Sequence, residues 1–192
     1  SVVGEDGNET VENKGYFLGQ VNLGSGANSF INHRGAVLEI GPLFLLGDSG
    51  NTLTNHGIMI IGGMNKTQRT NMTGSFVQTK SGITFSELDF KSGKIDQLYM
   101  TGSAKLGGKL NLSLLNPQLV KPGHDRKILF SAAEGVTDAG MKLVTVPSVV
   151  ITYDLIYPSK TTAELDYTVD FSPKGNLGIN LREVGDYFNR IQ

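Results

Sequence analysis

The chain has 192 residues, with 17 Lys or Arg against 18 Asp or Glu, no Cys and no Trp. A compact domain of this size buries roughly 70% of its extended surface, so its core needs no staples. The missing thiols exclude disulfides, zinc knuckles, iron–sulfur clusters and cysteine nucleophiles, and a net charge of −1 without a long run of either sign points to no charge-steered partner such as nucleic acid or an anionic lipid surface.

Glycine is the outlier: 25 of 192 residues is about 13%, roughly double ordinary usage, so many tight backbone turns are expected. No apolar run approaches the ~20 residues that span a bilayer as a helix, and Ser1-Val2-Val3-Gly4-Glu5-Asp6 lacks a signal-peptide pattern. A soluble chain is expected. Neither end reads as a natural start or stop, so an excised piece of a longer protein is expected too.

In chain order, the first feature is a repeat. Thr10-Val11-Glu12-Asn13-Lys14-Gly15, Ser29-Phe30-Ile31-Asn32-His33-Arg34-Gly35 and Thr52-Leu53-Thr54-Asn55-His56-Gly57 share Ser/Thr, an apolar residue, any residue, Asn, then Gly two or three later. A fourth copy, Ser75-Phe76-Val77-Gln78, carries Gln in place of Asn. Asn13, Asn32, Asn55 and Gln78 are spaced by 19, 23 and 23 residues. A Gly-rich turn precedes each of the first three copies: residues 4–8, 24–28 and 47–51. Between turns lie short β-branched or aromatic runs, such as Ala36-Val37-Leu38-Glu39-Ile40, Leu43-Phe44-Leu45-Leu46 and Ile58-Met59-Ile60-Ile61, too short for helices.

A period near 20 built from short strands and Gly/Asn corners predicts an all-β parallel β-helix. Coils of such a solenoid stack at about 4.8 Å and bring like residues into ladders. Asn suits a corner, because it tolerates left-handed backbone and its amide can bond the amides above and below. Asn13, Asn32, Asn55 and Gln78 are therefore predicted to form a structural ladder. The competing leucine-rich repeat needs a regular Leu-x-x-Leu-x-Leu frame, which is missing.

From about Ala104 the pattern changes. In residues 163–171 every odd position is apolar and every even one polar, the mark of a strand with one wet face. Pro147 and Pro158 bracket a strand predicted over 148–157, joined to the next by a hairpin at 158–161; residues 105–115 and 127–131 supply others. A solenoid end exposes unpaired backbone and apolar interior, so this region reads as a β cap. Val184, Tyr187, Phe188 and Ile191 have helical spacing and predict a short amphipathic helix. The expected organisation is 1–103 β-helix coils, 104–180 β cap and 181–192 terminal helix.

Several segments in order resemble the C-terminal passenger region of bacterial autotransporters, the type V secretion proteins. These are Thr73-Gly74-Ser75-Phe76-Val77-Gln78, Leu88-Asp89-Phe90, residues 96–104 from Asp96-Gln97-Leu98-Tyr99 to Ala104, and Leu106-Gly107-Gly108-Lys109-Leu110. Lys127-Ile128-Leu129-Phe130-Ser131-Ala132, Leu177-Gly178-Ile179-Asn180 and the closing helix continue the set. The resemblance covers roughly residues 50–192. It implies a right-handed β-helix ending in an autochaperone segment, followed in that family by a linker helix and an outer-membrane translocator barrel of the same polypeptide. The barrel is absent here. Export through the periplasm and outer membrane to the cell surface, or release, is what the resemblance implies for location, and the lack of cysteines agrees with passage as an unfolded chain.

Each candidate for chemistry has a plainer reading. Gly47-Asp48-Ser49-Gly50 matches the nucleophile surroundings of chymotrypsin-like proteases, which also need a His and a carboxylate, but the turn recurs at residues 4–7 without Ser and reads as a corner. His33 and His56 fall one coil apart, without a third metal ligand; His124 is expected in a separate loop. Glu87 and Asp89 share a strand face, read as solvated. Asn65 and Asn71 head glycan acceptor sequons within a polar loop, 62–72. The aromatic residues are assigned to the core and not to a nucleic-acid platform. No catalytic, cofactor or metal residue is assigned.

The expected function is therefore non-enzymatic: a cell-surface β-helical stalk and autochaperone, whose cap offers paired edges and an apolar floor on which N-terminal coils fold during secretion. The alternatives are a host-surface adhesin or secreted effector binding a host receptor or matrix through its coils, and a β-helical enzyme on polysaccharide, which would need acidic residues along one groove.

Overall fold

The computed structural model describes residues 1–173 and 179–191. The chain is mostly β, rich in parallel pairing, and ends in a short helix, Ile179–Ile191. One sheet holds Thr10–Asn13, Ser29–Asn32, Thr52–Asn55, Ser75–Gln78, Ser103–Leu106 and Gly135–Asp138, every neighbour parallel. The larger, thirteen-stranded sheet is mixed. Its first limb stacks Tyr16–Asn22, Val37–Leu45, Ile58–Ile61, Ile83–Asp89, Lys109–Leu115 and Lys142–Val144 in parallel.

The second limb leaves from Val37–Leu45. Its first four residues pair with Ile58–Ile61, and its last three with Arg69–Thr73. Gly41 and Pro42 lie between the two halves, where a ring without an N–H cannot continue the ladder. Gln97–Met100 and then Gly123–Ala132 extend this limb in parallel. Each repeat thus sends strands in turn to the small sheet, the first limb and the second limb.

Alternation puts one side chain in two inward, and the inward residues of both sheets form one apolar core. Along the small sheet Phe30, Leu53, Phe76 and Ala104 sit in register and are all buried. Phe30 meets Phe44 edge-on at 5.2 Å, and Phe76 stacks on Phe130 at 6.3 Å. The Gly-rich turns close the stack where backbone passes close to backbone. Gly47 has φ 96°, and a Cβ there would lie 2.4 Å from the Gly24 carbonyl oxygen.

The parallel stacking does not stop at residue 103. Ser103–Leu106, Lys109–Leu115, Gly135–Asp138 and Lys142–Val144 keep the register of the preceding strands, because Ala104, Leu106, Leu110 and Leu112 continue the buried apolar positions. Antiparallel pairing is carried by Ile83–Asp89 with Lys94–Ile95, and by Gly123–Ala132, Thr162–Val169 and Ile151–Ile156. The strand predicted over 105–115 is two strands, with Gly107 and Gly108 turning the chain between them. The strand predicted over 148–157 is Ile151–Ile156, and the hairpin after it pairs Leu155 with Leu165.

The C-terminal helix lies on the chain through its small, polar side. Gly185 is buried, Asn189 Nδ2 donates to Asp170 Oδ1 at 2.9 Å, and Phe171 N donates to Asn189 Oδ1 at 3.1 Å. Val184, Tyr187 and Phe188, the predicted apolar stripe, are exposed. Leu177 and Gly178, and the side chains of Ile179, Asn180 and Ile191, lie outside the described residues.

Candidate functional site

The small sheet places Asn13, Asn32, Asn55 and Gln78 directly opposite one another in successive strands. Asn13 Nδ2 donates to Asn32 Oδ1 at 2.8 Å, Asn32 Nδ2 to Asn55 Oδ1 at 2.7 Å, and Asn55 Nδ2 to Gln78 Oε1 at 3.1 Å. Each amide nitrogen also donates to the carbonyl that opens the neighbouring strand of the first limb: Val37, Ile58 and Ile83, at 2.8, 2.9 and 3.4 Å. The row therefore has a direction, with oxygen toward the N-terminal strand and nitrogen toward the C-terminal one.

The Gln in the fourth copy has a geometric cause. The residue opposite Gln78 in the next strand is Leu106, fully buried and without an amide. With one methylene more than Asn, Gln78 Nε2 reaches the carbonyls of Gly107 and Lys109 at 2.8 and 2.9 Å. Its Oε1 also accepts from the Thr84 hydroxyl. Buried amides are thus satisfied to the end of the row, as burial demands.

A second amide row was not anticipated. Asn28 and Asn51 are buried. Asn51 Oδ1 accepts from Asn28 N at 2.9 Å and Asn28 Oδ1 from Glu9 N at 2.8 Å, while Asn51 Nδ2 donates to the Leu46 carbonyl at 2.6 Å. The signal was present, since each stands four residues before a motif Asn.

The remaining candidates separate. Residues 47–50 form a turn closed by Asn51 N on the Asp48 carbonyl at 3.1 Å. His33 Nε2 lies 3.6 Å from Glu12 Oε2, whereas His56 Nδ1 lies 3.2 Å from Thr79 Oγ1. His124 belongs to a strand and not a loop, 2.5 Å from Asp166 Oδ1, which with Arg126 forms an exposed cluster. The loop expected over 62–72 is shorter, because Arg69–Thr73 is a strand.

Glu87 is not on a solvated face: it is buried, and its Oε2 accepts from Lys66 N at 2.9 Å. Beside it Asp96 is fully buried and bridges two segments, accepting from Gln68 N and Glu87 N, each at 2.7 Å. Burial pushes the Asp96 carboxyl up to about 7, against the pull of both N–H donors; the nearby Glu87 charge adds to the rise and Lys66 opposes it. Asp89, by contrast, is held down to about 2, by Ser92 Oγ first and Asn116 Nδ2 next. No group of three His, Cys, Asp or Glu suited to a metal occurs among the described residues.

The amide rows offer fixed, oriented donors and acceptors and no activated nucleophile. Their chemistry is cross-strand registration. No family model, no curated protein and no solved structure matches the chain.

Proposed function

We propose that the chain is a segment of a right-handed parallel β-helix from the C-terminal part of an autotransporter passenger, acting on the cell surface as a stalk and as the nucleus on which the rest of the passenger folds. The single observation that carries this is the inequality of the two ends of the stack. Toward the N-terminus the strand Thr10–Asn13 pairs on one side only, with Ser29–Asn32. Val3, Tyr16 and Leu18 are exposed there. At the other end Gly135–Asp138 and Lys142–Val144 also pair on one side only, but the second limb is closed: Thr162–Val169 and then Ile151–Ile156 add to Gly123–Ala132 in antiparallel fashion and bury Ala163, Leu165, Tyr167 and Val169.

An open parallel edge is a template for another strand. The direction of the amide row makes this edge selective: Asn13 presents the oxygen end, so it takes a strand whose own amide nitrogen donates toward it. Coils then add by nearest-neighbour contacts once a nucleus exists. A locally paired hairpin at the closed end is the segment best suited to form first, because its contacts close a short loop.

The test is the partition of mutational effects between folding and unfolding rates. Leu165→Ala in the hairpin is expected to slow refolding nearly in proportion to the stability lost. Phe30→Ala, in an N-terminal strand, is expected to leave refolding almost unchanged and to accelerate unfolding. The opposite partition overturns the nucleation role. Antibody labelling of intact producing cells tests the location: label that appears only after lysis overturns it.

A further inference from the structure

We propose that the cleft between the starts of Arg69–Thr73 and Gln97–Met100 and the strand Gly123–Ala132 is a binding site for an acidic polysaccharide, with sulfate or carboxylate groups seated on Arg69, Lys94 and Lys127. The cavity has a volume of about 370 Å³, and no carboxylate is among the side chains lining it. Three cations converge there from three separate strands. The sequence hides this, because the residues are far apart and the overall charge is near zero; the segment 91–127 nevertheless carries seven Lys or Arg against two Asp.

The lining is partly fixed before a ligand arrives. The Arg69 guanidinium sits 3.7 Å over the Tyr99 ring. Lys127 Nζ is held at 2.7 Å from Asp125 Oδ2, which tempers its charge but sets its position. Gln97 Nε2 donates to the Ile128 carbonyl at 3.2 Å, and Gln68 Nε2 to the Ile40 carbonyl at 3.3 Å and Thr70 Oγ1 at 2.9 Å. Neither Gln has a partner on its Oε1 among the described residues, which leaves two anchored acceptors for hydroxyl groups. Beneath them, buried Asp96 ties the Gln68 backbone to Glu87. Anchored side chains lose little freedom on binding, which favours affinity.

Cations together with anchored hydroxyl acceptors fit a sugar acid better than a nucleic acid. A phosphate chain uses cations and free aromatic faces, and the Tyr99 face is occupied by Arg69. A second cavity of about 270 Å³ shares Gly93 with the first and brings Lys121 and His124, together with Asp125, whose carboxylate is held by Lys127. That extension fits a chain of several sugar units and not a single small anion. The inference does not depend on the folding role proposed above.

The experiment is titration calorimetry of the full chain with four probes: a heparin hexasaccharide, a hexauronate of matching length, neutral dextran and a hexathymidylate. Binding of either acidic sugar, with none to dextran, is expected; which of the two binds separates sulfate from carboxylate recognition. Lys94→Gln with Arg69→Gln is expected to weaken that binding at least tenfold, and Lys94→Glu alone to do so without touching the ring contact. Lys14→Gln with Lys80→Gln is expected to change it less than twofold, circular dichroism confirming that each variant folds. No binding of either acidic sugar, an equal loss with Lys14 and Lys80, or hexathymidylate binding as tight as the sugar's overturns the proposal.

Discussion

Replacing Asn32 by Ala tests whether the amide row stabilises the stack through its continuity. Asn32 is fully buried and makes three side-chain hydrogen bonds: it accepts from Asn13 Nδ2 and donates to Asn55 Oδ1 and the Ile58 carbonyl. At about 1 kcal/mol net per bond these amount to about 3 kcal/mol, and stranding the Asn55 oxygen in a dry interior adds about 1–2 kcal/mol more. Asn13 Nδ2 keeps the Val37 carbonyl and is not stranded. Asn32→Ala is therefore expected to cost about 4–5 kcal/mol. Asn13 also makes three bonds, to Asn32 Oδ1, to the Val37 carbonyl and from Gly15 N, but it lies at the open edge where water can replace part of them, so Asn13→Ala is expected to cost less, about 2–3 kcal/mol. Because the two share one bond, the double variant should be less destabilised than the sum, by about 1 kcal/mol. Urea titration followed by far-ultraviolet circular dichroism measures all three, the midpoints being compared at constant slope. Equal losses at Asn13 and Asn32, or strictly additive ones, would refute a directional, continuous row and reduce the amides to independent corner residues.

Three further outcomes are expected. Gln78→Asn shortens the terminal amide so that it loses the Gly107 and Lys109 carbonyls, at a cost of about 2–3 kcal/mol by the same titration; a loss under 1 kcal/mol would mean water replaces the reach. Gly47→Ala is expected to destabilise by more than 1 kcal/mol, since φ there is 96° and the new Cβ meets the Gly24 carbonyl, and a neutral result would contradict the close stacking of the turns. Asp96 has a folded pKa raised to about 7 from an ordinary 3.8, so the folded state holds the extra proton between those values. Its contribution is fully present below about pH 4 and is lost as pH rises through 7, by up to about 4 kcal/mol. Urea midpoints should accordingly be lower at pH 8 than at pH 5. Asp96→Asn should flatten that dependence: it costs about 1–3 kcal/mol at about pH 5, because one amide N–H must face a backbone donor, and less toward about pH 8, where the native chain has lost its own contribution; an unchanged pH dependence would assign it to other groups.

What the amino-acid sequence determined by itself was everything that repeats. Gly corners, apolar inward positions and the Asn at each corner recur because every coil-like unit must satisfy the same backbone and bury the same face, so one copy predicts the next. The row Asn13, Asn32, Asn55 and Gln78 was legible for that reason, and Asn28 and Asn51 were legible by the same rule but were not read. The alternation in residues 163–171 likewise foretold the buried Ala163, Leu165, Tyr167 and Val169.

Tertiary structure decided what does not repeat. Glu87 falls in a polar alternation that reads as solvated, yet it is buried because Lys66 N arrives from a distant loop to satisfy it. Asp96 is ordinary in sequence and acquires its raised titration only through burial in the folded chain, against the pull of the Gln68 and Glu87 N–H groups. Gln78 looks like a weakened repeat until Leu106 stands opposite it and only the longer amide can reach a carbonyl. Arg69, Lys94 and Lys127 share no motif at all. Periodicity encodes contacts between equivalent positions of neighbouring repeats, whereas a cleft gathers unlike positions, and only the folded chain brings those within reach of one ligand.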